Sequence, residues 1–108
     1  MQYKKIVAAC AAIGSVLLLA GCAPSPAQPT KTFTMDDVAQ HASKDSCYTV
    51  IRGFVYDLTK AIDTHPGGPD KILGICGKDG TDAFVAKHGG KERQENALET
   101  FKIGTLAK

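Results

Sequence analysis

The 108-residue chain carries 13 lysines and arginines against 11 aspartates and glutamates, a formal net charge of +2, and has no tryptophan. That excess comes from Lys4 and Lys5 at the start of the chain; residues 22–108 hold eleven charges of each sign. The balance excludes the concentrated basic patch of a nucleic-acid binder.

The chain opens with a short positive segment, "MQYKK", and then an uncharged apolar run ending in "LAGC", Leu19 to Cys22. A charged start, an apolar stretch and small residues before a cysteine define an export signal, which is set aside from the fold. The "LAGC" stretch resembles the bacterial lipobox, implying cleavage after residue 21 and a lipid-bearing Cys22. An uncleaved anchor helix is the alternative. Either way the protein is expected to leave the cytoplasm and stay on a bacterial membrane, on its periplasmic or cell-surface side. A multiply acylated cysteine anchors stably where one chain is marginal. "APSPAQPTK", Ala23 to Lys31, has three prolines and no apolar periodicity. Residues 22–31 therefore read as an extended tether, and residues 32–108 as one domain with a thin core that benefits from a staple or a bound cofactor.

Within the domain, Thr34 followed three residues later by Asp37 approximates a capping box and opens a short helix over "TMDDVAQHA". "CYTVIRGFVYDLT" is rich in β-branched and aromatic residues on both sides of Arg52-Gly53, which predicts a hairpin. "KAID" allows only a helical turn. Pro69 suits the first position of a helix over "PDKILGIC", with Gly77 as its stop. In "GTDAFVAKH", Phe84 and His88 are four apart and share a helical face, with Gly89 ending the helix. "KERQENALETF" is a further short helix, and "FKIGTL" a closing strand. Short helices about a small mixed sheet make an α+β domain, with two helix pairs enclosing a cleft.

Four cysteines occur. Cys10 leaves with the signal and Cys22 takes lipid. Outside the cytoplasm the remaining pair, Cys47 and Cys76, reads as a disulfide, with two buried free thiols as the alternative. The bridge would close a loop of about thirty residues and contribute roughly 3–4 kcal/mol. No CxxCH is present, so covalent haem attachment is not indicated.

"HPGG" at His65–Gly68 and "HGG" at His88–Gly90 set two histidines against glycines. Three readings compete: ordinary loops, ligands for a bare metal ion, or ligands for a metal inside a larger group. Glycine lets backbone approach a bulky planar ligand. Pro66 restrains the loop. An axial imidazole also needs its second nitrogen hydrogen-bonded, commonly to a backbone carbonyl. A zinc site from His65, His88, Cys47 and Cys76 lacks the closely spaced ligand pairs typical of structural zinc. His41, in the polar stretch "QHASKDS", is expected to be solvated.

In order along the chain, "TMDDVAQH", "YTVI", "FVYDLT", "HPGG", "CGKDGTDAF", a second histidine and "FKIGTL" resemble the cytochrome b5 family over nearly the whole domain. The resemblance implies non-covalent haem b, iron protoporphyrin IX, with His65 and His88 as its axial ligands. By position it also implies a haem pocket of Ile51, Leu58, Ile62, Gly67, Ile72, Phe84 and Phe101. Three departures stand out. Ala61 occupies a position that is often aromatic, implying a looser or repacked pocket. His88 comes one residue sooner after the phenylalanine than in microsomal members. Pro69-Asp70 replaces an acidic pair, which weakens transfer of the family's acidic docking face. Cys47 and Cys76 are absent from microsomal members, and exported bacterial relatives are more similar there.

With both axial positions filled, the expected function is one-electron transfer by a tethered carrier and not an enzyme, serving unidentified redox partner proteins such as a membrane or periplasmic oxidoreductase. The domain is expected to be monomeric. A haem-delivery lipoprotein, with haem as cargo, is the alternative. A third reading, the branch resembling membrane-associated progesterone receptors with tyrosine-ligated haem, is disfavoured by the presence of both histidines.

Overall fold

The computed structural model describes residues 31–108. The expected signal at residues 1–21, Cys22 and all but the last residue of the tether lie outside the described residues. Six strands and four helices follow one another: β1 Thr32–Phe33, α1 Met35–Ala39, β2 Ala42–Ser43, β3 Ser46–Ile51, β4 Phe54–Asp57, a 3-10 turn at Thr59–Ala61, α2 Pro69–Leu73, β5 Lys78–Asp79, α3 Thr81–His88, α4 Glu92–Glu99 and β6 Lys102–Leu106. The architecture is α+β, as expected. The sheet runs β1-β6-β4-β3-β2, and β5 shares the outer edge of β3. It is mixed: β1 lies parallel to β6 and β5 parallel to β3, while the other pairs are antiparallel.

Local chemistry accounts for most boundaries. The Thr34 hydroxyl accepts from Asp37 N at 3.0 Å, and the Asp37 carboxylate accepts from Thr34 N at 2.8 Å, a reciprocal capping box at the start of α1. Between β3 and β4, Arg52 and Gly53 both have positive φ, 52° and 83°. Two consecutive residues of that kind form the turn whose twist matches a tight hairpin. Pro69 opens α2. The helix closes at Gly74 and not at Gly77, one turn earlier than the sequence suggests, because Ile75 N and Cys76 N turn to tighter i→i−3 bonds with Ile72 O and Leu73 O. Gly77, at φ 78°, instead redirects the chain into β5. α3 ends at Gly89 as anticipated, with Gly89 N donating to Val85 O. The two-residue strands β1, β2 and β5 leave no periodic trace in the sequence and were not anticipated.

Alternation along β3 divides the core in two. Cys47 and Ile51 join Tyr56, Leu58, Ala61, Ile62, Ile72, Cys76 and Leu98 on one side. Val50 joins Phe33, Val38 and Val55 on the other, with Tyr48, Ile103 and Leu106 against them. A period of two sends neighbouring residues to opposite faces of a sheet, so one face carries the N-terminal helix and the other the two helix pairs. Thr49 is the one buried polar residue among those described, and its hydroxyl donates to Lys78 O at 2.9 Å.

Cys47 and Cys76 form a disulfide, with Cα atoms 4.8 Å apart and a sequence separation of 29. The alternative of two free thiols is thereby set aside. The bridge ties the central strand to the turn after α2, beneath the larger core. Among the described residues no helix is long and apolar enough to cross a membrane.

Candidate functional site

His65 lies in the loop between the 3-10 turn and α2, and His88 is the last residue of α3. Their ring centroids are 6.2 Å apart, with planes at 76°. A first-row metal bound at about 2 Å from an imidazole nitrogen stands roughly 3 Å from the ring centre, so two rings facing each other across one ion have centres about 6 Å apart. The planes need share only the common axis, which an angle of 76° permits. The spacing suits two imidazoles on opposite faces of one metal.

Loop chemistry fixes the first ring. Gly68 N donates to His65 O at 2.9 Å and closes the HPGG turn. A β-carbon on Gly67 would stand 3.1 Å from His65 Cε1 and 3.2 Å from Nδ1. The ring therefore lies on bare backbone, an approach that glycine permits. Nδ1 is turned toward its own loop, which leaves Nε2 for a ligand. The backbone acceptor expected for Nδ1 is not made: the atom is buried and has no hydrogen-bond partner among the described residues. No carbonyl of the short loop reaches it. A buried unpaired nitrogen costs about 1–3 kcal/mol, and such exceptions point to function.

The second ring sits one helical turn beyond Phe84, whose ring centroid is 5.3 Å away. Burial, reinforced by the nearby His65, Lys91 and Lys87 charges, pushes the His88 pKa below its usual value. Its lone pair is thus kept available for coordination near neutral pH. α3 has no fully buried residue; Phe84 is half-buried and Val85 is 43 % exposed. A helix with its apolar residues only partly covered suits an additional apolar occupant beside it.

The expected lining converges. Ile51, Leu58, Ile62 and Ile72 are buried in the larger core, and Phe84 and Phe101 pack on its margin. Ala61, at the position that lacks an aromatic ring, is buried in the same cluster. Leu98 and Tyr56 belong to this cluster without having been anticipated. Leu98 was detectable as the only leucine, isoleucine or valine in α4. Burial pushes the Tyr56 phenol up to about 12, with Glu99 adding to the shift.

His41 is part-buried and not freely solvated. It stacks on Tyr48 with centroids 3.8 Å apart and planes at 15°, and its Nδ1 hydrogen-bonds Ser46 Oγ at 2.7 Å. The β2–β3 turn brings Tyr48 back over it, a contact that local polarity does not reveal. It lies on the smaller-core side of the sheet, away from the other two histidines.

A second unanticipated feature joins the hairpin to α4. Arg52 Nη1 and Nη2 donate to Glu95 Oε1 and Oε2 at 2.9 and 2.8 Å, and Gly90 N donates to Glu95 Oε2 at 3.1 Å. These bonds, Arg52's first, hold the Glu95 pKa at about 2.

The bare-ion reading fails on donors. Among the described residues no three histidine, cysteine or acidic side chains cluster to hold a metal ion, and both candidate thiolates are consumed in the disulfide. Two imidazoles over an apolar floor fit a metal carried within a large apolar group.

Residues 34–107 match the family model described as "Cytochrome b5-like Heme/Steroid binding domain". The chain belongs to this family. Among solved structures, the cytochrome b5-like domain is similar to cytochrome b558 of Ectothiorhodospira vacuolata, a prokaryotic homologue of cytochrome b5. The TM-score is 0.65 at 38 % identity, covering 71 % of this chain and 99 % of that one. It also matches a probable cytochrome b5 of Neurospora crassa, 46 % identical over 74 residues, 68 % of this chain and 52 % of that protein. A nitrate reductase (NADH) of Zea mays is 46 % identical over 76 residues, 70 % of this chain and only 12 % of that enzyme. The domain therefore spans about half of one curated relative and a small part of the other. Cytochrome b5-like domains bind haem non-covalently, and the donor set described above fits that group.

Proposed function

We propose that the chain is a membrane-tethered b-type cytochrome that carries single electrons and performs no catalysis of its own. Haem b would be held by His65 on one side and His88 on the other, against Ile51, Leu58, Ile62, Gly67, Ile72, Phe84 and Phe101. The observation that carries this reading is the pair of imidazoles 6.2 Å apart beside one apolar cluster. When bound, the haem supplies one-electron exchange at its iron.

The chain's own residues define how that exchange is used. With His65 and His88 both holding the group, no coordination position would remain for dioxygen or a substrate. The apolar floor limits water, which with ligand identity sets the potential of such a centre. The short HPGG loop restrains His65 through the Gly68 N bond to His65 O and the close approach of Gly67, so little rearrangement would be needed between oxidation states. Lipidation at Cys22, after removal of residues 1–21, would keep the domain near membrane redox proteins at raised effective concentration. The tether at residues 22–31 would lift it from the bilayer. Support for this anchoring comes from the "LAGC" stretch and the prolines after it. Haem as cargo is the weaker reading, since the similar proteins include cytochromes.

Ligand access provides the test. Carbon monoxide added to the dithionite-reduced protein should leave its visible spectrum essentially unchanged. Prompt binding would reveal an open coordination position and overturn the proposal.

A further inference from the structure

His88 occupies a precarious place for a ligand. It ends an eight-residue helix, and terminal turns of helices fray. The turn that follows is held by Lys91 N donating to His88 O at 3.0 Å and by Glu95 receiving Gly90 N. Gly90 has a φ of 76°, so only the bonds around it define its course.

Glu95 is itself fixed from across the fold by Arg52. The guanidinium makes the paired, parallel bonds that give geometric definition as well as attraction. Arg52 reaches α3 in two further ways: its backbone N donates to Thr81 Oγ1 at 2.9 Å, and its guanidinium carbon lies 5.6 Å from the centroid of Phe84. Phe84 in turn packs on the His88 ring. Arg52 is held on the hairpin in a left-handed conformation, at φ 52°, an uncommon state for a residue with a side chain. One residue thus touches the start of α3, its aromatic ring and, through Glu95, the turn after His88.

We propose that Arg52 and Glu95 form a latch that positions His88 and slows the loss of haem. Both are positioning residues. The inference rests on the reading of His88 as an axial ligand. The pair is partly exposed, with side-chain accessibilities of 43 % and 29 %, and exposed ion pairs contribute little to global stability. Its effect should therefore register at the ligand far more than in unfolding.

The test uses the full chain loaded with haem, and follows transfer of haem to excess haem-free myoglobin together with the low-spin electron paramagnetic resonance signal. Arg52→Gln and Glu95→Gln should each speed haem loss about tenfold or more, as loss of outer partners of a metal ligand commonly does. Each should also broaden the low-spin signal as the second imidazole loses its fixed orientation. The double variant should be no worse than the worse single one. Glu99→Gln, on the same helix as Glu95, removes the 2.9 Å pairing with Lys102 of β6 and should leave the rate at the wild-type value. Arg52→Lys keeps the charge but loses the paired geometry, so it should fall between wild type and Arg52→Gln; it decides the matter if a glutamine variant folds poorly. Wild-type rates in Arg52→Lys and in every folded glutamine variant, an equal effect from Glu99→Gln, or multiplying effects in the double variant would overturn the latch. A wild-type signal without two imidazoles would overturn the ligand reading and the latch with it, whereas a normal wild-type signal with unchanged variant rates defeats the latch alone.

Discussion

Replacing either His65 or His88 with alanine is expected to abolish the low-spin, six-coordinate spectrum and to weaken haem retention by at least about a hundredfold. Removing even an outer partner of a metal ligand commonly costs 10–100-fold, and on the proposed ligation a bond to the metal itself would be lost. The two variants should differ in what they do to the haem-free domain. His65 Nδ1 is buried without a hydrogen-bond partner among the described residues, so the alanine variant removes a group that costs about 1–3 kcal/mol to bury. His65→Ala should leave the haem-free domain at least as stable as wild type while haem retention collapses. His88 carries no such burden, and its removal should leave stability close to unchanged. Absorption spectra with urea unfolding of the haem-free proteins check both statements. An unaltered six-coordinate spectrum in either variant would cancel that residue's assignment.

The second large effect concerns the disulfide. Cys47 is fully buried and Cys76 is 4 % exposed, and both belong to the cluster beneath the two histidines. A bridge spanning 29 residues stabilises a fold by about 3–4 kcal/mol on the chain-entropy account. Domains of this kind have only about 5–15 kcal/mol in total. The double variant Cys47→Ala/Cys76→Ala should therefore have a sharply lower urea midpoint in the haem-free form. It should recover much of the loss when hemin is present, because a ligand that binds only the folded state stabilises it by mass action. Added reductant should lower the wild-type midpoint and leave the variant unmoved. Equal midpoints for the oxidised wild type and the double variant would show that the bridge contributes nothing to stability.

Much of this molecule was legible in the sequence because its signals are local. Arg52-Gly53 between two β-rich runs, the reciprocal cap of Thr34 and Asp37, Pro69 opening α2 and Gly89 closing α3 each act within a few residues, and each is found where expected. The apolar residues assigned to the pocket by family position, Ile51 through Phe101, collect in one cluster. What escaped is non-local. Strands β1, β2 and β5 are two residues each and exist only through their partners. The α2 helix stops short of Gly77 because Ile75 N and Cys76 N bond three residues back, a tightening that glycine spacing does not encode. His41 looked solvated until the sheet placed Tyr48 against it. Arg52 and Glu95 are 43 residues apart, and neither charge stands out in a sequence whose domain is balanced overall. The two histidines were visible from their glycines; the residues that steady one of them were not.

The most direct single measurement is titration of the purified protein with hemin, recording absorption in the oxidised state and again after dithionite. Saturation at one equivalent, with a low-spin spectrum that changes reversibly on reduction, is the result expected of haem held between His65 and His88. A folded protein that stays colourless and takes up no hemin would contradict it.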